Sequence, residues 1–273
     1  MKHKFESCAV RLVVAVALVA LPALAQAPAQ AAGQAARRIP RLSDGKPNLN
    51  GIWQVMNTAN WDLVSHEGRY GAFPLCGAIC AEPGGLGVVD GGTIPYLPAA
   101  EAQKKKNFEN RATADPEVKC FLPGVPRATY MPYPFQIFQN SNSMAIAYQY
   151  AGAYRDILLK DPGPAPADSW MGKSVARWEG DTLVVTVTDM NDASWLDRAG
   201  DFHTEGMRVV ERYTLVSPDV MNYEATIEDA KVFSRPWKIS MPIYRHLDKN
   251  ARLLEFKCVE FVEELLYGQY RKK

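Results

Sequence analysis

The chain is 273 residues long and carries 31 lysines and arginines against 30 aspartates and glutamates. That near-balance excludes a protein organised around nucleic acid or an anionic membrane surface, both of which call for a marked basic excess. At this length an ample core can be buried without staples, so the part beyond any leader reads as one domain.

Lys2, Lys4 and Arg11 lead into an apolar run from Leu12 to Leu21 that closes on Ala23-Leu24-Ala25. This is the layout of a secretory signal peptide over residues 1–25; a bilayer span needs about 20 apolar residues, well beyond this run. Cys8 precedes the run, whereas a lipoprotein's acylated cysteine would stand at the cleavage point. The mature protein is therefore expected in the periplasm or outside the cell, with no membrane association after cleavage. An Ala/Gln-rich stretch comes next, so 26–40 reads as a disordered leader and 41–273 as the folded domain.

Asp44-Gly45 and Pro47-Asn48 mark turns before a short apolar piece, Ile52 to Val55. From Trp61 to Pro98 the chain is rich in Gly and Pro and keeps no sustained period, which predicts ordered loop pinned by aromatics. Ala99 to Arg111 consists of good helix formers with Pro98 placed for a helix start, and its Lys104-Lys105-Lys106 run reads as a solvated face. Four cysteines remain after cleavage: Cys76, Cys80, Cys120 and Cys258. In an oxidising compartment they predict two disulfides; of the three pairings, Cys76 with Cys80 and Cys120 with Cys258 is preferred. CGAIC is one residue longer than a CxxC motif and has no second pair nearby, so a structural staple is expected there and not a metal or redox element.

From Phe135 the period becomes two. Met144, Ile146, Tyr148 and Tyr150 share one face, Tyr154 to Leu159 continue past Gly152, and Leu183, Val185 and Val187 alternate with Val184, Thr186 and Thr188. Val209, Tyr213 and Leu215 share a face with Glu211, and Tyr223–Ile227 and Ile239–Tyr244 give two further runs. Turn signals at 140–143, 179–181, 217–219 and 248–250 separate these pieces. The expected fold is mainly β: an antiparallel meander closing into a barrel, lipocalin-like in broad plan, with one or two short helices, one of them in the tail VEFVEELLYG.

Three blocks, KPNLNGIW, ADPEVKCFLPGVPRATYMPYPFQI and WMGKSVARWEGDTLVVTVTDMNDASWLDRAGDFHTEGMRVVERYT, lie spread between residues 46 and 214 of the chain. Together they resemble a large family of exported bacterial proteins. The resemblance implies a single exported domain; it brings no activity or catalytic residues with it.

The connection from Asp189 to Gly206 is far longer than a hairpin needs, and long ordered connections on a rigid sheet tend to carry function. His203 stands out there because only imidazole titrates near neutrality unperturbed, and Asp197 or Asp201 is expected to orient it as a general acid or base. Asp201, His203 and Glu205 alternate, but wider than a tight metal site prefers and without HExxH, so no metal is expected. There is no GxSxG elbow, no GxGxxG and no Walker loop, so neither a serine-hydrolase site nor an organic cofactor is expected. Aromatics crowd the predicted strands, which suggests a barrel mouth that takes an apolar or aromatic small molecule, with Tyr133 and Trp195 as walls and Arg127 or Arg155 meeting a polar end. The expected function is capture of such a ligand, with acid–base conversion of the isomerase, lyase or hydrolase type as its extension; the alternative is a non-catalytic carrier or envelope interaction protein.

Overall fold

The computed structural model describes residues 38–271, so the expected signal peptide and nearly all of the expected leader lie outside the described residues. Among these residues eleven strands occur in chain order: β1 (Gly51–Val55), β2 (Arg69–Tyr70), β3 (Ala81–Glu82), β4 (Phe135–Gln139), β5 (Met144–Tyr148), β6 (Tyr154–Leu158), β7 (Lys173–Glu179), β8 (Thr182–Thr188), β9 (Arg208–Ser217), β10 (Val220–Glu228) and β11 (Trp237–Arg245). β2 and β3 pair as a small ladder. The other nine close into a barrel in the order β1-β11-β10-β9-β8-β7-β6-β5-β4, with β1 returning to β4.

The expected mainly β barrel is what the chain forms, with one departure from a pure meander. An odd number of strands cannot alternate direction all the way round a closed ring. The forced parallel contact falls between β6 and β7, where Ile157 faces Ser174 and Leu158 faces Val175, and the chain makes the crossover through residues 159–172. Closure removes every edge of this sheet.

Period-two patterning decides which side chains fill the barrel. Met144, Ile146 and Tyr148 of β5, Val209, Glu211, Tyr213 and Leu215 of β9, Met221, Tyr223, Ala225 and Ile227 of β10, and Trp237, Ile239, Met241 and Ile243 of β11 are all buried. Each fully buried residue of the Val, Leu, Ile or Phe kind contributes about 1.5–3 kcal/mol.

The register puts the functional elements at one end. β1 finishes where β4 begins, so the whole stretch between them caps that end of the barrel, and the long β8–β9 connection lies at the same end. The cap contains helices α1 (Pro98–Glu109), α2 (Arg111–Ala114) and α3 (Arg127–Tyr130). α1 starts at Pro98 as the sequence suggests, and of its side chains only Ala100 and Asn107 are buried. After β11 the chain returns to the cap, where Leu254 N–H donates to Gln149 (3.0 Å), and ends in α4 (Val262–Tyr267). Both preferred disulfides form: Cys76–Cys80 staples a turn of the cap, and Cys120–Cys258 ties the cap to the tail. Among the described residues no helix is long and apolar enough to cross a membrane.

Candidate functional site

The β8–β9 connection folds down onto the cap. Trp195 and Phe202 form a β-bridge within it, Leu196 N–H donates to the Asp201 carbonyl (2.6 Å), and Arg198 N–H donates to the Asn60 carbonyl (2.9 Å). Gly200 makes this approach possible: at φ +87° it sits against α1, where a Cβ would lie 2.7 Å from Asn107 Cβ. Asn107 in turn donates from Nδ2 to the Gly200 carbonyl (3.1 Å).

His203 does not find a carboxylate. Its Nδ1 lies 3.0 Å from the Thr204 carbonyl and its Nε2 lies 2.9 Å from Ser194 Oγ, so a neutral ring donates to the carbonyl and accepts from the hydroxyl. The residue is only 3% exposed. Burial pushes the imidazole below its ordinary value, and the hydrogen bond to the Thr204 carbonyl and the charges of Asp229 and Asp192 only partly counter it. The expected orientation by Asp197 or Asp201 is therefore corrected. Both ring nitrogens are engaged elsewhere, and Ser194 is the partner that sequence reasoning overlooks.

Asp197 and Asp201 meet each other and Asp62, with one carboxylate oxygen of each within 4.8 Å of the other two. Asp197 accepts from Leu63 N–H (2.9 Å) and Asp201 N–H (3.1 Å), Asp201 accepts from the Tyr96 hydroxyl (2.7 Å), and Asp62 accepts from Arg69 (3.0 Å). Burial and then the neighbouring Asp201 carboxylate push the Asp197 carboxyl well above its ordinary range. Asp201 Oδ2 is buried and has no hydrogen-bond partner among the described residues. A proton kept on the raised Asp197 carboxyl would satisfy it. The three carboxylates are also a set of hard oxygen donors whose spacing a divalent cation of the calcium class could use. Glu205 lies apart from them, exposed and paired with Lys231 (2.5 Å).

Arg155 and Arg127 are both sealed. Arg155 points into the barrel, where it donates to Glu211 (3.2 and 2.5 Å), the Tyr148 hydroxyl (3.1 Å) and Ser174 Oγ (3.2 and 2.9 Å), and the Tyr213 and Tyr223 hydroxyls donate to the same glutamate (2.8 Å each). This cluster and the apolar side chains occupy the interior that the aromatic pattern suggests for a ligand. Arg127 donates to Asn60 (2.8 Å), Asp115 (3.1 and 3.3 Å) and Glu117 (2.7 Å). Its role as a ligand anchor is replaced by one at the base of a charged network.

That network reaches the surface through Arg198. Its Nε and Nη2 donate to Glu117 (2.8 and 3.2 Å), its Nη1 donates to Glu263 of α4 (2.9 Å), and the guanidinium stacks over Trp61 with 4.4 Å to the ring centroid. Burial raises the Glu117 carboxyl, but Arg198 and Arg127 outweigh burial and hold it below its ordinary range. For Asp115 burial wins over Arg127, and its carboxyl is raised.

Two cavities flank this network. One, about 120 Å³, lies among Trp61, Phe73, Ile79 and Tyr267; the other, about 300 Å³, lies among Tyr133, Tyr150, Phe256 and Phe261. Ala112, Val118, Arg198 and Glu263 line both, and no barrel strand contributes to either. Tyr133, Tyr150 and Phe256 form a three-ring cluster with centroids 4.9–5.7 Å apart. Tyr133 is thus on a cavity wall, while Trp195, His203, Arg127 and Arg155 line neither cavity. Arg198 is visible in the sequence as the lone cation in an acidic loop; Glu117, Glu263 and Phe256 carry no comparable signal. No protein-family model matches the chain, and neither a curated protein nor a solved structure is significantly similar to it.

Proposed function

We propose that this is an exported small-molecule-binding protein that holds an apolar or aromatic ligand in the cleft of the cap, outside the barrel. The observation behind this reading is the pair of adjoining cavities, walled by aromatic rings and sharing one arginine–glutamate pair. Such a mixture of apolar wall and few polar groups is the usual composition of a ligand site. Burial and then the Glu117 charge raise the Tyr133 and Tyr150 phenols above their ordinary range, so both stay protonated; Tyr150 donates to the Glu117 carbonyl (3.3 Å), and Tyr133 offers its hydroxyl to the cleft. Acid–base conversion by His203 does not enter this proposal, because both ring nitrogens are already engaged. The signal-peptide pattern read over residues 1–25 and the two disulfides support an exported location.

The test is to purify the mature protein from its export compartment and identify co-purifying small molecules by mass spectrometry, beside a Tyr133→Ala/Tyr267→Ala variant. Both side chains are partly exposed, so the fold should survive their loss. An apolar compound carried by the parent protein and lost from the variant is the expected result; equal recovery from both would remove the cleft as the site.

A further inference from the structure

We infer that Glu263 occupies the place of a ligand carboxylate, and that the ligand is an apolar or aromatic carboxylic acid whose anion replaces Glu263 on Arg198; this rests on the cleft reading above. The two edges of the Arg198 guanidinium are treated differently. The inner edge is fixed by two hydrogen bonds to Glu117, whose own position is set by Arg127 (2.7 Å) and Asn60 (3.3 Å). The outer nitrogen meets only Glu263, whose side chain is 35% exposed against 13% for Glu117. Among the described residues Glu263 makes no second hydrogen bond. It stands on a six-residue helix that buries none of its side chains. Rotation into solvent therefore costs Glu263 little, while Arg198 stays aimed by Glu117 and by its stack on Trp61.

The position of the pair gives that rotation a consequence. Arg198 and Glu263 both stand in the wall common to the two cavities, so moving Glu263 aside joins spaces of about 120 and 300 Å³ around a free guanidinium nitrogen. The joined space reaches the range of a small-molecule site, roughly 300–1,000 Å³. The exchange is also neutral in charge. One carboxylate leaves Arg198 and another arrives, so the Asp115–Arg127–Glu117 network beneath keeps its balance. A neutral ligand has no such means of displacing Glu263, because even a carbonyl acceptor would replace a charge-assisted bond with a weaker one and leave a partly buried guanidinium without its counter-charge.

Two probes of matched shape test this by calorimetric titration of the mature full-length protein: naphthoate, which carries the carboxylate, and naphthamide, which does not. The proteins are the parent and Glu263→Gln, with circular dichroism to confirm folding. Naphthoate should bind the parent and bind Glu263→Gln about tenfold more tightly, since the competing anion is gone; a tenfold change corresponds to about 1.4 kcal/mol. Naphthamide affinity should be the same in both. If naphthoate gains nothing from Glu263→Gln, or naphthamide binds as well as naphthoate, the carboxylate inference falls and the apolar cleft stands. If neither probe binds either protein, both readings fall.

Discussion

Arg155 and Arg198 each donate two hydrogen bonds to one glutamate, Glu211 and Glu117 respectively, but their surroundings differ. Arg155 and Glu211 are 2% and 0% exposed, and the tyrosine and serine hydroxyls around them use up the remaining donors and acceptors. Around Arg198 the carboxylates grade outward, from buried Asp115 through Glu117 to partly exposed Glu263. A sealed pair of this kind orders the barrel interior and can exchange with nothing, whereas a graded one can trade its outermost member. The same chemical pairing thus serves packing in one place and offers recognition in the other.

Breaking each pair should make the contrast measurable. Glu211→Ala leaves a buried guanidinium without its counter-charge and two tyrosine hydroxyls without an acceptor. The expected loss is about 3–5 kcal/mol of stability, read as a lowered urea midpoint. Glu263→Ala removes a partly exposed partner from a guanidinium that keeps Glu117, so the loss should stay within about 1 kcal/mol. Equal losses from the two variants would mean that exposure does not distinguish them. Gly200→Ala should come next in size. A Cβ there meets Asn107 Cβ at 2.7 Å, and overpacking of this kind costs roughly 1–3 kcal/mol. Gly180, with φ +60° but nothing within 4 Å of the place a Cβ would take, serves as the control that carries only the backbone cost, about 1–2 kcal/mol, which Gly200→Ala bears in addition to the overpacking.

How far the sequence foretells these two regions depends on the range of the interactions that build them. Alternation is local, so the strands from Met144 onward, and even the inward placement of Glu211 among Val209, Tyr213 and Leu215, can be read directly. Its partner cannot: Arg155 lies 56 residues earlier on a strand of another part of the barrel, and only closure of the ring brings them together. The cap is harder still, because Glu117, Arg198 and Glu263 come from three distant segments with no periodic pattern. The preference for His203 rests on the ordinary pKa of imidazole, a property that burial against Ser194 and Thr204 changes. Asp197 and Asp201 are legible as an acidic pair, but Asp62, which completes the cluster, comes from the irregular stretch after β1.

That acid cluster supplies the one expected effect that shows only as a change with pH, and it separates a held proton from an ordinary buried charge. Because the Asp197 carboxyl is raised in the fold, the folded chain keeps a proton that the unfolded chain releases near pH ~4. Its contribution is therefore complete below about pH 4 and declines as pH rises toward the folded value, by at most about 1.4 kcal/mol per pH unit. Asp201→Asn preserves the acceptor for the Tyr96 hydroxyl and turns an amide N–H toward Asp197 in place of the proton. The variant should lose less stability than the parent between about pH 4 and neutrality, so the difference between their urea-unfolding curves, measured with a chelator present, should grow in the variant's favour as pH rises. A difference that stays flat across that interval would mean that no proton is held between the two aspartates. If the flat difference appeared only when calcium replaced the chelator, the cation would be the group that balances the three carboxylates.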